Sequence, residues 1–307
     1  MRNSFLNKIS EFAASDRDVM LITGDLGYSV FESFAERFPN QFLNTGICEQ
    51  TMAGIASGMA LCGKKVFVYS IGNFPTLRCL EQIRNDICYH RLPVTIVTNG
   101  AGMAYGSLGM SHHATEDLSV LRALPEMTVT SPADPVEVEL LMDYFLRTGK
   151  PGFMRMNRGG EKKIHPGTNF DITALNPIIS APDHTVAIVS AGEITSTVFQ
   201  ITEILKQRGV SASAWSCPFI KPLPSLAPVY GPGVKLLVSL EENNVCGGLG
   251  GAIAEAVSQQ NSRIPLLRIG MPDQYCSMVG KQIYLRQQYD LGPEQIADRI
   301  SMRLKEL

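Results

Sequence analysis

Val19-Met20-Leu21-Ile22-Thr23-Gly24-Asp25 is a short apolar run that ends in a glycine and an aspartate. An uninterrupted apolar run of this length predicts a strand that is buried on both faces, as in a parallel sheet. Open α/β sheets bind ligands beside the carboxyl ends of their strands. The loop at residues 24–29 is therefore expected at the ligand-binding edge of such a sheet.

Further apolar runs follow through the first half of the chain and alternate with helical patterns. The predicted strands lie near residues 64–69, 93–98, 127–130 and 152–156. The predicted helices lie near residues 5–14, 31–38, 52–60, 77–89 and 118–124, with another beginning near residue 135. Strands that alternate with helices in this way indicate an α/β domain with a parallel, doubly wound sheet.

A stretch rich in glycine, proline and polar residues, 166–183, is predicted to be a linker. It separates a first domain at residues 1–165 from a second α/β domain at residues 184–307. The glycine run at residues 247–251 opens a helix after a strand, but no ribose-binding acid stands where dinucleotide-binding folds place one. Close backbone packing at the start of the helix is the favoured explanation of that run.

Composition excludes several classes of protein. A chain of 307 residues predicts about two domains of ordinary size. The net charge of -2 and pI near 6.2 give no basic surface for nucleic acid. No apolar run approaches the length of a membrane span, and the first residues lack the apolar core of a secretory signal. Seven cysteines without a Cys-x-x-Cys pair predict neither a disulfide framework nor a zinc site. A cytoplasmic protein is therefore expected.

Thr45-Gly46-Ile47-Cys48-Glu49-Gln50-Thr51 is the stretch in which we expect the chemistry. It precedes a run of small residues, 52–60, that predicts a tightly packed helix. A carboxylate at such a junction is expected to be at least half buried, and burial allows a carboxyl group to share a proton near neutral pH. The alternative is a first-turn glutamate that interacts only with the helix dipole.

Four further features of the sequence resemble one family when they are taken in order with this stretch. They are a small-residue helix and the motifs at residues 66–70, 81–85 and 109–113. The chain resembles the pyrimidine-binding half of thiamine-diphosphate enzymes of the transketolase family, and the likeness continues to the C-terminus. The resemblance implies a thiamine pyrimidine-binding domain at residues 1–165, followed by a transketolase C-terminal-type α/β domain at residues 184–307.

The resemblance also assigns residues to the cofactor. Glu49 would bind the pyrimidine ring nitrogen and favour the imino form that activates the thiazolium carbon, and Phe74 would stack on the pyrimidine ring. Asp25 and Ile47 would complete the cofactor contacts. The loop at residues 70–74 lacks one of the two aromatic residues usual in the family, so an ordinary core position is the alternative for Phe74.

The pair His112 and His113 follows a glycine-rich loop, and two adjacent imidazoles rarely both belong in a core. In the family the first of them lines the substrate channel, which maps to His112. A metal site is the alternative, but no further ligands stand nearby at zinc spacing. No metal-ligating residue is predicted in this chain.

Substrate contacts follow from the same resemblance. Ser29, Asn99 and Arg158 align with positions that bind a sugar phosphate, and arginine suits an oxyanion. Asn99 stands where many transketolases have a phosphate-binding histidine, and Ser107-Leu108 replace an acidic pair. The acceptor is therefore not expected to be an ordinary aldose phosphate, and deoxy, branched, nucleotide-linked and sulfonated sugars all remain open.

The diphosphate half of the cofactor site has no counterpart in the sequence. The family holds Mg²⁺ through a Gly-Asp-Gly motif, whereas this chain has Gly24-Asp25-Leu26. The resemblance thus implies a separately encoded subunit that binds the diphosphate and Mg²⁺, in an α2β2 heterotetramer. Ketol transfer from a ketose to an aldehyde is the favoured activity. The β subunit of a 2-oxoacid dehydrogenase and a non-catalytic regulatory subunit are the alternatives.

Overall fold

The computed structural model describes residues 1–27, 29–260 and 264–307. It contains two α/β domains, each built on a mostly parallel sheet. Every residue of strand β1, Val19–Thr23, is buried. Met20 and Ile22 pack into one apolar cluster, and Val19 and Leu21 pack into another. Because successive side chains point to opposite faces, both faces of this sheet are covered, as the apolar run predicts.

Eleven further strands are present in the described residues. They are β2 Phe42–Asn44, β3 Lys65–Ile71, β4 Val94–Asn99, β5 Thr128–Thr130, β6 Gly152–Met156, β7 Asn176–Ile179, β8 Val186–Ser190, β9 Ala212–Ser216, β10 Phe219–Lys221, β11 Leu236–Asn244 and β12 Leu266–Met271. The first sheet has the order β10-β5-β6-β4-β3-β1-β2, and the second has the order β12-β11-β8-β9-β7. Of these strands, only β10 and β7 run antiparallel to their neighbours.

The α-helices occupy most of the connections between strands. They are α1 Arg2–Ser15, α2 Glu32–Arg37, α3 Glu49–Leu61, α4 Leu80–Gln82, α5 Asp117–Arg122, α6 Pro135–Thr148, α7 Val198–Gln207, α8 Leu249–Ser258, α9 Gln282–Gln288 and α10 Pro293–Lys305. The short α4 is the middle of a composite segment, with a 3-10 turn at Leu77–Cys79 before it and a π-helical stretch at Ile83–Cys88 after it. The sequence predicts one continuous helix here. The observed wide turn is of the kind that is frequent at functional sites.

Two edge strands depart from the sequence-based expectation. Strand β7 lies inside the predicted linker at residues 166–183 and contains Pro177, which is tolerated because it lies on the edge of the second sheet. Strand β10 comes from the second half of the chain but pairs with β5 of the first sheet, where it covers an otherwise unpaired edge. Helices α9 and α10 have no counterpart among the predicted elements. No helix in the described part of the chain is long and apolar enough to cross a membrane.

Candidate functional site

Glu49 is the first residue of α3, immediately after a loop that turns at Gly46 with a positive φ of 76°. Its side chain is buried, with 4% of the residue exposed. The prediction of a carboxylate that is at least half buried is therefore confirmed. One carboxylate oxygen, Oε1, accepts a hydrogen bond from Nη1 of Arg78 at 2.9 Å.

Three side chains from the loops after β3 and β4 join this carboxylate. The guanidinium carbon of Arg78 lies 4.6 Å from the centre of the Phe74 ring. The Phe74 ring in turn meets the His112 imidazole edge to face, with 5.4 Å between the ring centres and 68° between the planes. Glu49, Arg78, Phe74 and His112 thus form one continuous cluster. The sequence predicts three of its members, and no motif in it indicates the fourth, Arg78.

The two histidines of the pair have different environments. His112 is half-buried, and its Nδ1 lies 3.1 Å from the Ser111 hydroxyl. His113 is buried, and desolvation lowers the pKa of its imidazole. Its carbonyl accepts a hydrogen bond from the Asn73 amide, which ties the loop after β4 to the loop after β3. His112 is therefore the member of the pair that faces the cluster.

Asn99 and Arg158 are brought together by a residue that the sequence analysis does not single out, Tyr105. The amide of Asn99, at the end of β4, donates to the Tyr105 hydroxyl at 2.9 Å. The Arg158 guanidinium lies 5.0 Å from the centre of the Tyr105 ring. A Cβ at Gly100 would lie 2.2 Å from that ring, so only glycine fits beside it. Within the described residues the amide oxygen of Asn99 is buried and lacks a hydrogen-bond partner, and it is available to a ligand.

The three remaining predicted residues lie on the loop after β1 and on the loop before α3. Asp25 is exposed and its carboxylate accepts from the Asn44 amide at 3.3 Å, beside a cavity of about 380 Å³ at the carboxyl end of β1. Ser29 is exposed, and its backbone N–H donates to Glu32 at 2.6 Å. Ile47 is 80% exposed. In residues 1–27, 29–260 and 264–307, no hydrogen bond or ion pair joins these three to the Glu49 cluster.

A buried network ties the second domain to the loop after β4. The Glu242 carboxylate, on β11, accepts from the Met103 backbone N–H at 2.6 Å and from the Gln282 amide at 2.9 Å. It also pairs with Arg286, which reaches Glu193 at 2.6 Å. No such constellation is predicted for the second domain from the sequence. Its members are far apart in the chain, so spacing gives no signal for it.

The glycine run before α8 holds one of the protein's own carboxylates. Glu241 accepts hydrogen bonds from the backbone N–H groups of Leu249 and Gly250, at 2.7 and 2.8 Å. A Cβ at Gly248 would lie 2.0 Å from the same carboxylate. Close packing at the helix start, rather than a phosphate site, is thus confirmed for this run.

No group of three or more His, Cys, Asp or Glu side chains among the described residues is placed to hold a metal ion. Mg²⁺ prefers several oxygen ligands at once. A buried carboxylate that is linked to an aromatic face suits a planar, hydrogen-bonding ring.

Two family models match the chain. Residues 1–160 match the pyrimidine binding domain of transketolase, and residues 178–296 match the transketolase C-terminal domain. A putative transketolase C-terminal section from Methanocaldococcus jannaschii is 32% identical over 99% of this chain and 96% of its own length. One subunit of an apulose-4-phosphate transketolase from Phocaeicola vulgatus is 32% identical over 89% of this chain and 88% of its own length.

A solved structure agrees with these matches along nearly the whole chain. A split-gene transketolase, described as an inactive β4 tetramer, superposes with a TM-score of 0.85 at 28% identity and covers 99% of this chain and 97% of its own. The protein thus has two α/β domains, each with a mostly parallel sheet. A buried glutamate lies at the carboxyl edge of the first sheet. The chain belongs to the transketolase family and contains that family's pyrimidine-binding and C-terminal domains.

Proposed function

We propose that this chain is the pyrimidine-binding subunit of a two-component, thiamine-diphosphate-dependent transketolase. The complete enzyme would transfer a two-carbon ketol unit from a ketose to an aldehyde. The observation that carries the proposal is the buried Glu49 carboxylate, which Arg78 links to the face of Phe74. Residues 1–165 would bind the pyrimidine, and residues 184–307 would form the C-terminal domain.

The cofactor fits the cluster through its aminopyrimidine ring. When bound, thiamine diphosphate supplies a nucleophilic carbon that attacks the ketose carbonyl. Glu49 would hold the pyrimidine ring nitrogen by a hydrogen bond and so fix the proton distribution of the ring. Phe74 would stack on the ring, and Asp25 and Ile47 would border it. Burial of Glu49 keeps water from competing for that hydrogen bond.

The substrate would bind between the loops after β1, β4 and β6. His112 would hydrogen-bond an oxygen of the reacting sugar. Asn99 has a buried, unpaired amide oxygen that can accept from a sugar hydroxyl, and Arg158 has exposed donors that suit a phosphate. Ser29 would reach the far end of the same sugar. The compound named for one relative, apulose 4-phosphate, is the first sugar to test.

The diphosphate and Mg²⁺ would be held by a separately encoded subunit in an α2β2 assembly. Two similar proteins carry names that describe part of a transketolase, a C-terminal section in one case and a single subunit in the other. A third, a tetramer of one kind of subunit, is described as inactive. These names support the expectation that this chain is inactive alone and gains activity with its partner.

Calorimetry with thiamine diphosphate and Mg²⁺ tests the proposal. The measurement is made on this chain alone, on the complex with a co-expressed diphosphate-domain subunit, and on complexes that carry Glu49→Gln or the exposed control Glu81→Gln. We expect binding and ketose cleavage only in the complex. Loss of a positioned acid-base group typically costs about 10²–10⁴-fold in rate, so Glu49→Gln should lower turnover by that factor while Glu81→Gln retains it.

Two results would contradict the proposal. A complex that binds no cofactor would exclude a thiamine enzyme, and turnover that is unchanged in Glu49→Gln would exclude the assigned role of this glutamate. Tight binding without turnover of any ketose would favour a non-catalytic subunit.

A further inference from the structure

Arg78 occupies the space between the two groups that would hold the pyrimidine. Its Nη1 donates to Glu49 Oε1 at 2.9 Å, and its guanidinium carbon lies 4.6 Å from the Phe74 ring centre. Its carbonyl accepts from the Gln50 amide at 3.2 Å, which anchors the backbone of the 3-10 turn beside α3. A planar cation is thus held by one hydrogen bond and one aromatic face.

These two contacts are the ones that an aminopyrimidine ring would need in the proposed function. A guanidinium is planar and stacks on aromatic faces, as a pyrimidine ring does. It has donors only, so the Glu49 oxygen that it contacts must act as an acceptor. A pyrimidine ring nitrogen is an acceptor and requires a donor from the same carboxyl group. The second carboxyl oxygen of Glu49 can supply that donor, but the Phe74 face that the guanidinium covers cannot also take the ring, so the two groups compete for that face.

We propose that Arg78 is a positioning residue that occupies the pyrimidine slot of the free chain and leaves it when the cofactor ring enters. The inference rests on the proposed function. The side chain is suited to leave, because 49% of it is exposed to solvent even though Glu49 is buried. In its absence Phe74 and Glu49 would lie open to solvent, so Arg78 also keeps the slot filled before assembly.

Calorimetry on the assembled complex tests this inference with thiamine diphosphate and Mg²⁺ as the probe. Arg78→Met keeps an unbranched apolar stem but removes the charge and the donors. Arg84→Met is the matched control, since Arg84 lies on the same composite segment and its guanidinium donates to the neighbouring Asn85 rather than to the cluster. A partly exposed ion pair and a cation–π contact together correspond to about threefold to thirtyfold in affinity. Arg78→Met should bind the cofactor more tightly by that factor, and Arg84→Met should match the native complex.

A second measurement uses the chain alone and needs no partner. The probe is 4-amino-2-methylpyrimidine, followed by ligand-observed NMR at millimolar concentration. We expect stronger saturation transfer with Arg78→Met than with the native chain, an intermediate signal with Arg78→Lys, and loss of the signal in Arg78→Met with Glu49→Ala. Lysine keeps the charge but lacks the plane that covers Phe74.

The outcomes separate the inference from the function on which it rests. If the native complex and both variants bind no thiamine diphosphate, the proposed function fails and this inference fails with it. If the native complex binds but Arg78→Met binds equally or more weakly, the function stands and only the inference is overturned. Equal NMR signals from the native and Arg78→Met chains would also overturn it.

Discussion

Replacement of Arg155 by methionine should destabilise the protein more than most single substitutions. Arg155 lies on β6 and only 2% of it is exposed. Its Nε donates to the Asp117 carboxylate at 3.0 Å, and its Nη2 donates to the carbonyls of Ala114 and Glu242. One side chain thus joins helix α5, the loop after His112 and strand β11 of the second domain.

The magnitude follows from what methionine leaves behind. Asp117 is fully buried, and removal of one partner from a buried pair costs about 3–5 kcal/mol. The two carbonyls that lose a donor would each cost about 1 kcal/mol or more. Effects at one site are not additive, so we expect a loss near the upper end, about 5 kcal/mol. The free energy of unfolding of most proteins is about 5–15 kcal/mol, so this loss would be a large fraction of the total stability.

Urea denaturation, followed by circular dichroism and by the fluorescence of Trp215, measures the loss. Arg91→Met is the control, because Arg91 is 73% exposed and its pair with Glu126 should contribute at most about 1 kcal/mol. Addition of Asp117→Asn to Arg155→Met should restore about 2 kcal/mol, since no buried charge then remains unpaired. A loss below about 2 kcal/mol in Arg155→Met, or a double variant no more stable than the single one, would show that the Asp117 charge does not depend on Arg155.

Three further predictions concern other contacts. Gly102→Ala should lower stability by about 1–3 kcal/mol in thermal unfolding, because the new Cβ would lie 2.3 Å from Glu242 Oε1 at a φ of +56°; an unchanged melting temperature would contradict this. Burial raises the pKa of Glu241 from 4.5 to about 7, so the folded chain holds a proton between those pH values that the unfolded chain releases. Its contribution to the free energy of unfolding should therefore fall as pH rises from about 4.5 to 7, and urea titrations at pH 5 and 8 should show a smaller fall in Glu241→Gln. Tyr105→Phe removes the hydroxyl that accepts from Asn99 and should raise the KM for the sugar substrate about threefold to tenfold, as expected for one hydrogen bond, in steady-state assays of the complex.

The sequence alone was sufficient to predict the buried strands, because each of them is a continuous run of apolar residues. The strands of the first sheet that lie between two helical layers are continuous apolar runs, and β1, β3, β4 and β6 are found where those runs predict them. The edge strands β7 and β10 have four and three residues, and one contains a proline, so they carry no comparable signal. Their place is fixed by the sheet edges that they cover.

In the candidate site, too, some residues are predictable from neighbouring sequence and others are placed only by the fold. Glu49 stands at a strand-to-helix junction within a recognisable motif, and the sequence alone predicts its burial. Arg78 is 29 residues further along the chain and reaches Glu49 only because β1 pairs in parallel with both β2 and β3, which places the carboxyl ends of β2 and β3 at the same edge of the sheet. Tyr105 likewise joins Asn99 to Arg158 through the turn that Gly100 permits.

The sequence by itself determined that this is a two-domain α/β chain of the transketolase family with a buried glutamate at its centre, because buried parallel strands and family motifs are written in neighbouring residues. Only the tertiary structure decided which side chain faces that glutamate. The same holds for Glu242 and Arg286, which link the second domain to the loop after β4 across long stretches of chain. Contacts between distant residues depend on how the strands are ordered in each sheet, and no periodicity within the sequence specifies that order.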